Sequence, residues 1–109
     1  MSESETTPIY PPGTLQEFFD DGRSKWGRHA DATTKAGMVV DIESPNAVRF
    51  CMVGAVRKVY RESSPKKMDE VLGKLLDYTR GLGFDCITTW NDSYASFSEV
   101  KRVVKELGI

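Results

Sequence analysis

From residue 44 to residue 61 the chain reads SPNAVRFCMVGAVRKVYR, and no other stretch limits its fold so tightly. Ser44 has the side-chain oxygen that a helix N-cap needs. Pro45 follows at the first helical position, where its missing N–H leaves no bond unmade. Wound at about 100° per residue, Val48, Cys51, Met52, Val53, Ala55, Val56, Val59 and Tyr60 cover an arc of roughly 200°, with Arg57, Lys58 and Arg61 opposite. Surface helices carry a narrower apolar stripe, so the pattern predicts a central helix over 44–61, packed on more than one side. Arg49 interrupts the arc. Either its stem packs on the core while its head reaches water, or its guanidinium is partly buried against a carboxylate, for which Asp92 is the candidate.

The rest of the chain supplies elements to pack around such a helix. Residues 1–12, MSESETTPIYPP, are polar, acidic and proline-rich, which predicts a flexible tail before one globular domain over 13–109. Thr14 and Glu17 have capping-box spacing, and Leu15, Phe18 and Phe19 follow at helical intervals in a helix expected to stop near Gly22. Residues 26–30 and 37–42 read as a small hairpin around a 31–36 loop. Ser64 and Pro65 open a third helix, along which Met68, Val71, Leu72, Leu75, Leu76, Thr79 and Leu82 keep three-four spacing until Gly81 or Gly83 ends it. Phe84 to Trp90 is rich in β-formers and is expected to be extended, with Asn91, Asp92 and Ser93 as a turn. Ser96 and Glu99 form a second capping box, before a last helix lined by Phe97, Val100, Val103, Val104 and Leu107 and closed by Gly108. The fold expected is α+β and mainly helical: about four helices around 44–61 with a two- or three-stranded β element.

Net charge is −1 but unevenly distributed. Residues 1–21 hold five acids and no base, whereas 22–67 hold ten bases and four acids. No apolar run has the length of a membrane span. Cys51 and Cys86 lack metal-ligand spacing, and Cys51 on an apolar helix face fits a reduced, buried thiol in a cytoplasmic protein. A disulfide between the two is the alternative.

Taken together, Trp26-Gly27, the run from Ala47 to Ala55 containing Cys-x-x-Gly-Ala, and Trp90-Asn91-Asp92 before a capped helix resemble a small family of bacterial and phage domains of unknown function, over roughly residues 14–107. The resemblance implies that Cys51, Gly54, Ala55, Trp90, Asn91 and Asp92 belong to a shared pattern. It supplies no catalytic residue, and His29 lies outside the pattern.

Cys51, His29 and Asn91 include the residue types of a thiol hydrolase, but a nucleophilic thiol needs exposure and a lowered pKa, and the middle of an apolar helix offers neither. One histidine and two separated cysteines make no metal site, and no cofactor fingerprint is present. Two surfaces remain. Trp90, Asn91 and Asp92, with Arg49 alongside, could hold a small ligand by stacking and paired hydrogen bonds, or could simply build the turn. Arg57, Lys58, Arg61, Lys66 and Lys67 form a basic patch that could meet nucleic-acid phosphates, or a solvated helix end. The expectation is a non-enzymatic binding domain with a protein partner, in the setting of a phage or mobile element. Small-ligand or nucleic-acid binding is the alternative, and self-association is left open.

Overall fold

A computed structural model describes residues 14–19, 25–62 and 64–109. The tail expected over 1–12 and the helix stop expected near Gly22 lie outside the described residues. In chain order the elements are α1 (Leu15–Phe19), β1 (Ala32–Thr33), β2 (Arg49–Phe50), α2 (Met52–Tyr60), α3 (Pro65–Gly81), α4 (Ile87–Ser93) and α5 (Phe97–Leu107). The fold is α+β and mainly helical, with one two-stranded antiparallel sheet among the described residues.

Three helix starts follow their local chemistry. Thr14 Oγ1 accepts from Glu17 N at 3.2 Å while Glu17 Oε1 accepts from Thr14 N at 3.1 Å, a closed capping box. Ser64 Oγ accepts from Lys67 N at 3.2 Å, with Pro65 at the first turn. Ser96 Oγ accepts from Glu99 N at 3.2 Å. At the other end of α5, Gly108 adopts a left-handed φ of 69° that a side chain would resist.

The central helix departs from expectation at its start. It begins at Met52, not at Ser44. The Ser44-Pro45 signal is consumed by a turn, in which Ser44 Oγ accepts from Asn46 N at 3.1 Å and Ser44 O accepts from Ala47 N at 3.1 Å. Phe50 must then run extended, because it pairs with Ala32 while Arg49 pairs with Thr33. Both inward residues of that pairing, Ala32 and Phe50, are buried. Sheet pairing plus burial outweighs a helix start signal that a turn satisfies equally well.

The hairpin is shifted from the expected pairing of 26–30 with 37–42. Its turn lies over 34–37, closed by Gly37 N donating to Thr34 O at 2.9 Å, with Gly37 at φ 90°. Thr33 faces Val39 in an antiparallel bridge, while Trp26 bridges in parallel to Phe50 on the far side.

Residues 87–93 are helical, where an extended segment and a turn were expected. Ile87, Trp90 and Asn91 are its buried residues, at spacings of three and four. Burying that one face overrides the β preference of Ile, Thr and Trp, a preference worth at most about 1 kcal/mol. The helix makes the described total five.

The core runs through α2, which packs against α1, α3, α4 and β2. Trp90 is its largest fully buried side chain, set edge-on to Tyr78 with ring centres 6.1 Å apart. Phe18 meets Phe19 and Phe50 edge-on at 5.2 and 5.3 Å, joining α1 to the sheet. Each such aromatic or branched residue contributes about 1.5–3 kcal/mol through burial.

Candidate binding site

The residues that carry chemistry in the sequence meet around one strap, residues 26–31, that crosses from α4 to α2. Its first anchor is Asn91, whose side chain is fully buried. Asn91 Oδ1 accepts from Trp26 Nε1 at 2.9 Å and from the Met52 backbone N at 3.0 Å. Asn91 Nδ2 donates to Gly27 O at 3.1 Å and to Asp92 Oδ1 at 3.0 Å. One amide thus uses all four of its hydrogen-bonding positions, and one of them satisfies an otherwise orphaned amide at the N-terminus of α2. The next strap residue, Arg28, lays its guanidinium over the Trp26 ring at 4.9 Å and donates to Ala95 O. His29 follows at a left-handed φ of 72°, its N–H held by Asp92 Oδ1 at 2.8 Å and its Nδ1 3.8 Å from Asp92 Oδ2. The histidine side chain itself is exposed.

The strap ends against α2. Cys51 is the N-cap of that helix: its Sγ accepts from Gly54 N at 3.4 Å and donates to Asp31 Oδ1 at 3.6 Å. The thiol is 2 % exposed. Burial, helped by the neighbouring Asp31 carboxylate, pushes its pKa from the ordinary 9.0 up to about 11. Gly54 has a sharper reason to be glycine. A Cβ there would stand 2.0 Å from Asp31 O, so only a hydrogen lets the strap lie on the helix. The close neighbour of Gly54 is therefore main chain.

These contacts give physical content to the pattern of residues seen in the sequence, and that pattern can be compared with known proteins. A family model described as "Family of unknown function (DUF6197)" matches residues 22–107. The chain belongs to this family. No curated protein and no solved structure matches. The family brings no activity with it, so the site is read from its own geometry.

The structure gathers some of the sequence-derived site residues and separates others. Trp90 and Asn91 lie in the interior, and Asp92 turns to His29. Arg49 does not reach Asp92. It sits on β2, where its Nη1 donates to Lys35 O at 3.3 Å. The thiol's partners are Asp31 and Gly54 while His29 faces Asp92, so Cys51, His29 and Asn91 do not form a relay. Both cysteines are free thiols, Cys51 buried and Cys86 exposed. Of the basic patch, Arg57 pairs with Asp31 at 3.1 Å and Lys58 with Glu43 at 3.3 Å. Arg57 and Arg61 line a groove beside the hairpin and, with Met68, a smaller hollow. Lys66 and Lys67 occupy the first turn of α3. Among the described residues, no group of three or more His, Cys, Asp or Glu side chains could hold a metal ion, and no helix is long and apolar enough to cross a membrane.

A different surface emerges that sequence reading passed over. Beside β2 lies an open hollow of about 390 Å³, floored by Ala47, Val48 and Phe50 and rimmed by Lys25, Lys35 and Arg49. Among the described residues, none of its lining is acidic. Lys25 Nζ stands 4.9 Å from the Phe18 ring centre, so the cation leans on the aromatic cluster. Close by, Met38 and Val39 on the hairpin are 67 % and 73 % exposed, and Val48 is exposed as well. The available signal was the apolar run Met38-Val39-Val40, but only the shifted hairpin turns Met38 and Val39 outward while Val40 packs against the core.

Proposed function

We propose that the chain is a non-enzymatic binding domain, and that its partner is a protein presenting an acidic segment with apolar side chains. The observation that carries this reading is the hollow in which, among the described residues, Lys25, Lys35 and Arg49 surround Ala47, Val48 and Phe50. Cations around an apolar floor favour a ligand that brings both negative charge and hydrocarbon. Val48 in the hollow, and Met38 and Val39 on the hairpin, are exposed apolar side chains. A small ligand held by Trp90 and Asn91 is less favoured, because both side chains are fully buried and Asn91 is saturated with internal bonds. A nucleic-acid ligand on the 57–67 patch is less favoured too, because two of its five bases already face carboxylates. Free thiols at Cys51 and Cys86 support action in the cytoplasm. The likeness to bacterial and phage domains supports, by analogy, an accessory role for a phage or another mobile element.

Panning a displayed random-peptide library tests the reading. Wild type should select acidic sequences bearing Val, Ile or Leu, and the Lys35→Glu/Arg49→Glu variant should not. Selection of neutral or basic sequences, or equal selection by both proteins, would refute it.

A further inference from the structure

We propose that the outer edge of the hairpin, with the groove beside it, takes up an extended acidic segment of a partner protein as an added β-strand. This goes beyond the reading above, because the groove at this edge shares no lining residue with the hollow at Lys25, Lys35 and Arg49. The hydrogen-bond register carries it. Thr34 N donates to Met38 O at 2.9 Å and Val40 N donates to Ala32 O at 3.1 Å, and these two bonds bracket the bridge between Thr33 and Val39. Bonds placed so define a pair that does not bond directly, and in an antiparallel ladder the backbone groups of such a pair point away from each other. Thr33 O points inward to the sheet and accepts from Val48 N at 2.9 Å. Val39 N–H and C=O therefore point off the edge, and neither has a partner among the described residues. Edges are normally blunted by lysine, proline or a covering loop, and Met38-Val39-Val40 carries neither of those residues.

Charge selects the occupant. The groove along this edge has a volume of about 360 Å³, and its charged or titratable lining residues are His29, Asp31, Asp41, Arg57 and Arg61. Its carboxylates are engaged within the fold: Asp31 by Arg57 at 3.1 Å and by the Cys51 thiol, Asp41 by the Glu43 backbone N at 2.8 Å. Arg61 has no carboxylate partner among the described residues. A strand laid along Val39 sends alternate side chains toward the groove, where a Glu or Asp meets Arg61 and main-chain bonds supply the rest.

The test uses a fluorescein-labelled Glu-Val-Glu-Val-Glu peptide, fluorescence anisotropy and three proteins: wild type, Val39→Pro and Arg61→Glu. Proline removes the outward N–H of residue 39 and leaves both bracketing bonds, so the variant should melt as wild type does. The expected result is binding by wild type and about tenfold weaker binding by each variant. The same peptide N-methylated at its central valine, tested on unaltered protein, should also bind about tenfold more weakly, which covers a misfolded proline variant. Equal binding by wild type and Val39→Pro, equal binding of the methylated peptide, or no binding by wild type would each overturn strand addition. Acidic sequences recovered by panning on wild type, and equally on Val39→Pro, would overturn the edge and leave the binding-domain reading standing.

Discussion

Replacing Asn91 by alanine should cost the fold about 4 kcal/mol, a figure that follows from the groups left behind. Three partners outside α4 lose their bond: the Met52 backbone N, the Trp26 indole N–H and Gly27 O. A buried polar group left unpaired costs about 1–3 kcal/mol. Met52 is fully buried, so its amide takes the upper part of that range, whereas Trp26 and Gly27 are only half-buried and take about 1 kcal/mol each. Domains of this size are stable by about 5–15 kcal/mol, so the loss is a large share of the whole. The corresponding fall in Tm is about 15 °C. Urea unfolding followed by tryptophan fluorescence reads the effect directly, since Trp26 and Trp90 both change environment when the strap leaves α4. The midpoint should drop with an unchanged slope. Asn91→Asp keeps the size and the oxygen that accepts from Trp26 and Met52 but puts a carboxylate oxygen where Nδ2 met Gly27 O and Asp92, and it should be no milder. A loss below about 1 kcal/mol for Asn91→Ala would refute the argument, because surface ligand residues are removed at that level and a saturated internal bridge is not.

Two further outcomes follow from the seam between the strap and α2. Gly54→Ala in an open helix would gain up to about 1 kcal/mol. Here it should instead destabilise by about 3 kcal/mol or more, because the added carbon meets Asp31 O at 2.0 Å and backbone cannot swing aside; thermal melting checks the sign. Stability should also fall as pH rises from about 9 to about 11, since the unfolded Cys51 thiol ionises near 9.0 and the folded one holds its proton up to about 11. The raised folded value means this contribution is complete below the unfolded pKa and lost through the folded one. Cys51→Ser should flatten that part of the curve, and iodoacetamide on the native protein at neutral pH should label Cys86 well before Cys51.

What could be read without coordinates were the features governed by a few neighbouring residues. The starts of α1, α3 and α5 and the glycine stop of α5 are short-range matters of a side-chain oxygen, an orphan amide and a left-handed backbone. Burial of Cys51 also followed from the apolar run around it, although the residue proved to be an N-cap and not a mid-helix position. The start of α2 and the state of residues 87–93 were not legible in the same way. Ser44-Pro45 suits a turn as well as a helix, and Ile87 to Trp90 prefers a strand until one of its faces is buried. The hollow proposed to bind a partner was the least legible of all, because Lys25, Lys35 and Arg49 converge only after the hairpin adopts its register.

By itself, then, the order of residues determined the mainly helical composition, three helix starts and one helix stop, and the burial of the thiol, since each depends on contacts within a turn or two of chain. Tertiary structure alone decided that Asn91 braces three segments, that Gly54 must admit a carbonyl and that Val39 is exposed with no backbone partner among the described residues. Those outcomes depend on groups from distant parts of the chain arriving within hydrogen-bond or van der Waals distance, and nothing in local propensity encodes such an encounter.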